Sequence, residues 1–253
     1  RVERLERFLG MVKSCRPQVV LLQEVFEAEL VRLLADHLPD YRILASDRSD
    51  PTGTLNASGL VTLTRLPVAE HRFHEFAPLP RGAKTIESLA RKGLLVVRVE
   101  SPDFQGTLLN LHLYASRDSS EAGLAHAQLA EAMAVARAEE SAGRTVLLAG
   151  DFNLPEVELA GLLPEGWTIS EHGPTYDPGT NPYTVRGSNN TPGNHRDRDR
   201  STGSRAIDFL LTGPAGNLRV RSTVLTRPLL SDHHFLHHAV QTPSTSGTPA
   251  DDQ

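Results

Sequence analysis

Apolar runs that each meet an acid, an amide or a histidine constrain this 253-residue chain more than any other feature. The clearest is Val146-Leu147-Leu148-Ala149, followed at once by Gly150-Asp151-Phe152-Asn153. In extended backbone Asp151 and Asn153 leave the same face, roughly 6 to 7 Å apart along the strand, so one cluster can use both. Val19-Val20-Leu21-Leu22 runs into Gln23-Glu24, Thr107 to Leu113 carries His112, and Ile207 to Leu211 holds Asp208. Ser231-Asp232-His233 follows a loop and precedes a further apolar segment. Taken singly, an acid after a strand is a turn residue or a helix N-cap, and a histidine such as His112 is a satisfied core residue. Their recurrence at successive strand ends points instead to one joint site. Asp208, set inside an apolar strand, is costly to bury without a partner, and His233 is the natural candidate.

The periodicities place the remaining elements. Val2, Leu5, Leu9 and Val12 share a helical face, and Arg16-Pro17 ends that helix before a strand at 18 to 22. Leu30, Leu33 and Leu34 mark a second helix that stops near Pro39. Strands are expected at about 41–45, 59–64, 94–99, 107–113, 145–149, 206–212, 218–226 and 235–240, with the longest helix over 121–141. From Trp167 to about residue 204 the chain is rich in Pro, Gly, Asn and Thr and reads as long loops. Within it Arg196, Arg198 and Arg200 alternate with Asp197 and Asp199, the pattern of a solvated, self-neutralising loop, with contact to a phosphate or headgroup as the alternative. Residues 242–253 read as a disordered tail.

Composition fits one globular domain over residues 1–241: 39% hydrophobic and 23% charged residues argue against disorder. A net charge of −5 offers no general footprint for polyanions, which lowers a nuclease reading without excluding local basic patches. Cys15 stands alone, so no intramolecular disulfide forms, and secreted and cytoplasmic locations both stand. No apolar run reaches the roughly 18 to 20 residues that span a bilayer. A Gly-rich phosphate loop, zinc-type cysteine spacing and a Gly-x-Ser-x-Gly elbow are all absent from the sequence.

Gln23-Glu24, Leu111-His112-Leu113, Gly150-Asp151-Phe152-Asn153, Ile207-Asp208-Phe209 and Ser231-Asp232-His233, in that order, resemble the endonuclease/exonuclease/phosphatase superfamily. The resemblance implies an α/β fold: a two-sheet β-sandwich flanked by helices on both sides, a four-layer α/β/β/α arrangement of the DNase I-like kind. It also implies a Mg²⁺-dependent phosphodiesterase or phosphatase, with Mn²⁺ or Co²⁺ as alternative ions. The stretch Gly59 to Val68, then Ala90-Arg91-Lys92-Gly93-Leu94, then Pro174-Thr175-Tyr176-Asp177-Pro178 with Asn181-Pro182, is similar to neutral sphingomyelinases. Two departures accompany it. Members usually open with a strand ending in a metal-holding asparagine, whereas Arg1 lies inside the first helix, so a fragment lacking that strand is expected. Ala125 stands three residues before Gln128, where sphingomyelinase-like chains often carry an arginine.

On that resemblance Glu24 and Asp232 are the expected metal ligands, since Mg²⁺ prefers a few hard carboxylate oxygens and keeps several waters. His233 is the expected general base, with Asp208 fixing its tautomer. Asp151 would position the attacking water, Asn153 would donate to a phosphoryl oxygen, and His112 would stabilise the added charge or protonate the departing alkoxide. Strand alternation keeps His233 and His237 on one face and His234 and His238 on the other, so His234, His237 and His238 are expected at the surface or behind the site. Three functions follow: hydrolysis of sphingomyelin to ceramide and phosphocholine at a membrane surface; a nuclease or another phosphohydrolase of the same superfamily; and a non-catalytic binding module. The lipid reading expects an apolar rim, for which Phe73, Phe76 and Tyr183 are the candidates. A monomer without a transmembrane segment is expected.

Overall fold

The computed structural model describes residues 2–46, 55–77, 90–102, 104–115, 122–177, 204–227, 231 and 233–242. Asp232, Tyr183, Asn181-Pro182, the arginine-rich stretch at 196–200 and the tail at 243–253 lie outside the described residues.

The chain is a mixed α/β protein with two main sheet layers between helices. Six strands form the larger sheet, in the order β4 (Val68–Glu75), β5 (Gly93–Glu100), β6 (Gln105–His112), β7 (Thr145–Asp151), β9 (Asp208–Thr212) and β8 (Thr168–Ile169). Only β6 and β7 run parallel, which demands a crossover; α3 (Ala122–Ser141) provides it. The second layer holds β1 (Val19–Leu22), β3 (Val61–Thr64) and β2 (Arg42–Ala45), all antiparallel, and the separate pair β10 (Arg219–Leu225) and β11 (Phe235–Gln241).

Why the central strands read as unbroken apolar runs is plain from what covers them. Leu94 and Val96 of β5 face Leu129, Ala132, Met133 and Ala136 of α3, while Leu95 and Val97 face Leu44 and Leu60 of the second layer. A strand buried on both faces has no polar side to present. Across the second layer, Val61 and Leu63 pack beneath α1 (Val2–Cys15) and α2 (Ala28–His37), through Phe8, Leu9, Val12, Leu34 and Leu38. The order is therefore helix, sheet, sheet, helix. Phe8 lies 6.2 Å from Phe235 between ring centroids, so α1 also covers the start of β11.

Three elements depart from the sequence reading, the shortest being β8, a two-residue strand in the stretch expected as loops. β4 was not expected, because Val68-Ala69-Glu70-His71-Arg72-Phe73-His74-Glu75 is dense in charge; it pairs on one side only, as an edge strand tolerates, with an irregularity between Val68 and Glu70. As a result Phe76 is only 3% exposed among the α3-facing residues, and Phe73 packs half-buried against the inter-sheet cluster. Neither forms an exposed apolar rim. The third is α4 (Glu156–Leu162), a short helix that leaves the sheet directly after Asn153.

A buried carboxylate ties the crossover helix to three strands. Glu139 of α3 is 3% exposed and accepts from Arg98 Nε and Nη2 at 2.9 Å each, from Thr107 Oγ1 at 3.0 Å and from Arg72 Nη2 at 3.3 Å. The Arg98 guanidinium, above all, holds its carboxyl down at about 2. Because the folded value lies below the ordinary one, the stabilisation is full above the ordinary carboxylate range and is lost as pH falls from about 4.5 toward about 2. Glu139→Gln should cost about 2 kcal/mol, the order of hydrogen bonds to a charged group, and should flatten the acid side of the stability profile. Urea unfolding between pH 3 and pH 7 measures both; a variant as stable as wild type at pH 7 would contradict the clamp.

Candidate active site

Strand register alone puts three of the expected residues in one row. His112 is the partner of Asp151 across the parallel β6–β7 pair, and Asp151 is the partner of Asp208 across the antiparallel β7–β9 pair. Residues in register share a face, so three neighbouring strands offer a histidine and two carboxylates side by side. Gly150 makes the alignment close: at φ +144° it lies so near β6 that a Cβ there would stand 2.0 Å from the Leu111 carbonyl oxygen. Only glycine fits.

His233 completes the row from the turn before β11. Its Nδ1 lies 2.9 Å and 3.2 Å from the two Asp208 carboxylate oxygens and 3.8 Å from Asp151 Oδ2. Asp151 Oδ2 is in turn 3.7 Å from His112 Nε2. The carboxylate at Nδ1 selects the tautomer with the proton there. Burial, then the Asp208 charge, raises the Asp151 carboxyl well above the ordinary carboxylate range. Burial, then Lys92 and His233, holds His112 well below the ordinary imidazole value, so it is neutral at pH 7.

Glu24 reaches the same place from the other layer. It follows β1 in a left-handed backbone conformation, φ 59°, which is uncommon outside glycine and is concentrated at functional sites. Gln23, Glu24, Asp151, Asp208, Ser231 and His233 all line one cleft of about 1770 Å³, which runs between β1 and β11. Asn153 is also left-handed, φ 51°; its backbone N–H donates to Asp151 Oδ1 at 2.8 Å and its Nδ2 to the Leu113 carbonyl at 3.1 Å.

Asp151, Asp208 and His233 each present a ligand atom, all within 4.8 Å of one another. Two carboxylates in register repel, and a hard divalent cation is the kind of group that relieves that repulsion. The donor set therefore fits a divalent ion, with Glu24 on the rim and Asp232 outside the described residues.

Residues without an assigned role from sequence also meet here. Asn110, fully buried on β6, accepts from Gln23 Nε2 at 2.7 Å and donates Nδ2 to the Leu22 and Val61 carbonyls at 3.2 Å and 3.1 Å. It spans the two layers and fixes the backbone just before Glu24. An amide inside Leu109-Asn110-Leu111 is the same signal that singled out Asp208. Lys92, 7% exposed, donates Nζ to the Leu113 carbonyl at 3.2 Å, and Gln128 of α3 accepts the Tyr114 N–H at 2.8 Å. His234 is buried at 5% exposure, one of the two positions expected for it, and its backbone N–H donates to the Thr175 carbonyl at 2.8 Å. His237 is exposed, and His238 lies 2.7 Å from Ser222 Oγ.

A family model described as Endonuclease/Exonuclease/phosphatase family matches residues 1–233. No curated protein sequence matches the chain. Among solved structures, truncated TDP2 of Caenorhabditis elegans is similar with a TM-score of 0.70 and 21% identity, over 95% of this chain and 90% of that one. TDP2 of D. rerio complexed with a single-strand DNA product gives 0.71 and 19%, over 95% and 92%. Sphingomyelinase C from Streptomyces griseocarneus gives 0.72 and 17%, over 94% and 92%. At these identities the likeness is one of fold.

Replacing Asn110 with leucine strands two buried carbonyls and frees the end of β1. Asn110→Leu should lower stability by about 2 kcal/mol and weaken divalent-ion binding by the apo-protein about tenfold, measured by denaturant titration and by calorimetry with Mn²⁺. Unchanged ion affinity in a folded variant would separate Asn110 from the Glu24 end of the site.

Proposed function

We propose that this chain, which belongs to the endonuclease/exonuclease/phosphatase family, hydrolyses a phosphodiester in a divalent-ion-dependent reaction, with sphingomyelin as the substrate. The observation that carries the reaction is the convergence of His112, Asp151, Asp208 and His233 within hydrogen-bonding or ion-pairing reach of one another. A phosphodiester is a weak electrophile shielded by negative charge, and its hydrolysis requires a base for water, cationic help at the phosphoryl oxygens and a proton for the leaving oxygen. A divalent cation, when bound, supplies positive charge at those oxygens; Glu24 and Asp232 are its proposed ligands, with the Asp151 and Asp208 oxygens close by.

His233 takes the water proton. Its Nδ1 is engaged by Asp208, so Nε2 carries the base function and Asp208 stabilises the imidazolium that forms. Asp151 orients the water, and the Asn153 amide faces a phosphoryl oxygen. His112, neutral through burial, acts as a hydrogen-bond donor to the charge gathering on phosphorus rather than as a reservoir of a second proton. The water oxygen bonds to phosphorus, the bond from phosphorus to the leaving oxygen breaks, and the proton held by His233 reaches that alkoxide, giving ceramide and phosphocholine.

The lipid substrate rests on two sequence stretches that both meet the site. Lys92, before β5, donates to the Leu113 carbonyl beside His112, and the Tyr176 ring stands edge-on to His233 at 5.6 Å. α4, leaving the site after Asn153, exposes the single side chains Val157 at 89% and Leu162 at 39%, apart from the positions expected at Phe73 and Phe76. The net charge of −5 also favours a substrate other than a long polyanion. A nuclease reading is favoured by one feature, the exposed guanidinium of Arg205 held 4.9 Å from the centre of the Tyr176 ring, a cation at the site mouth.

Purified protein with Mg²⁺, with and without EDTA, should be offered sphingomyelin vesicles, plasmid DNA and inositol phosphates. Phosphocholine release that EDTA abolishes is the expected outcome; cleavage of DNA but not lipid would replace the lipid reading with the nuclease one. His233→Ala and Glu24→Ala should each lower turnover by about 10³-fold or more in folded protein. Near wild-type rates in either variant would reject the assignment, and inactivity on all three substrates with intact ion binding would favour a binding module.

A further inference from the structure

We infer that Thr175 and Tyr176 are positioning residues that hold His233 against Asp208, an inference that rests on the reaction proposed above. Asp208 and His233 come from separate segments, one entering β9 and the other entering β11, and 25 positions part them. β9 and β11 belong to different sheets, so no shared ladder sets the distance between them. The segment before Asp177 touches both.

Thr175 is fully buried. Its Oγ1 accepts from the backbone N–H groups of Ile207 at 3.3 Å and Asp208 at 3.4 Å, on the Asp208 side. On the other side its carbonyl accepts the N–H of His234 at 2.8 Å, one residue from His233. The Thr175 N–H donates to the Arg205 carbonyl at 3.0 Å, and Tyr176 and Arg205 exchange backbone hydrogen bonds at 3.0 Å and 2.8 Å, so the segment is itself anchored. Thr175 thus spans the gap between the two partners.

Tyr176 acts on the imidazole directly. Its ring meets that of His233 at 88° with centroids 5.6 Å apart, an edge-to-face contact that limits rotation of the histidine about its side-chain torsions. Arg205, with its guanidinium 4.9 Å from the Tyr176 centroid, backs the tyrosine from the far side. One dipeptide therefore braces the backbone of the acid that the β7–β9 ladder places and limits which way the base points. A base displaced by about 1 Å can lose on the order of 100-fold in rate while substrate binding survives. That separates positioning from a general loss of structure.

The test uses bis(p-nitrophenyl) phosphate with Mg²⁺, a simple chromogenic diester, and compares Thr175→Val, Thr175→Ser, Tyr176→Leu, Tyr176→Phe and His233→Ala. Thr175→Val and Tyr176→Leu should lower kcat by about 30-fold with KM and the Mg²⁺ midpoint within about threefold of wild type. Thr175→Ser keeps the acceptor, and Tyr176→Phe keeps the ring; both should stay within about threefold of wild-type kcat. Wild-type kcat in Thr175→Val and Tyr176→Leu alongside an inactive His233→Ala would overturn this inference alone, as would a loss in Thr175→Ser equal to that in Thr175→Val. An active His233→Ala would overturn the underlying reaction and this inference with it. Should Thr175→Val fail to fold by circular dichroism, the two Tyr176 variants decide.

Discussion

The amide of Asn110 is the point on which the two halves of the molecule agree. Each sheet can form its own ladders without reference to the other, since backbone pairing acts only within a sheet. Apolar contact between layers is non-directional and tolerates sliding. A buried amide that donates to the Leu22 and Val61 carbonyls and accepts from Gln23 does not tolerate it, because a shift of one residue would leave three buried polar groups without partners. The cost of that mismatch selects the register in which the end of β1 brings Glu24 to the cleft that Asp151 and Asp208 also line. Specific chemistry at the strand ends thus depends on a polar contact in the core.

Much of this was legible from the residues because strand pairing turns sequence into space with few choices. Buried central strands announce themselves as apolar runs, and an acid or histidine at the end of each must face its counterpart on the neighbouring strand. Asp151 and Asp208 could be grouped on that basis; His112 needed the family resemblance as well, and His233, which lies outside that sheet, was joined to them as the partner that a buried Asp208 requires. β4 could not be read this way, since an edge strand half in solvent carries charge at positions that a central strand cannot. Phe76 was misplaced for the same reason: without β4, the burial created where that strand ends, under α3, was invisible. The stretch holding Thr175 and Tyr176 stood out as a motif, but the positioning role proposed for it rests on hydrogen bonds and a ring contact to segments about 30 and 57 residues away, which no local pattern encodes.

Charge is managed in opposite ways on the two sides of the larger sheet. At the far side, Glu139 is surrounded by guanidinium groups and kept fully ionised, a settled arrangement that binds helix to sheet. At the strand ends, Asp151 is crowded by burial and by Asp208 and is left short of compensation. The contrast marks the strand-end cluster as the one whose groups are driven away from their ordinary titration ranges toward the neutral form. Neutral His112, buried beside Lys92, belongs to that cluster.

Gly150 sets a limit on how this scaffold can change. Its backbone lets β7 lie against β6 with the Leu111 carbonyl where any side chain would begin, so the interval between His112 and Asp151 is dictated by the thickness of bare main chain. Mutational drift can therefore redraw the loops and helices that surround the strand ends, and with them the molecules admitted, while the spacing of the central pair stays locked.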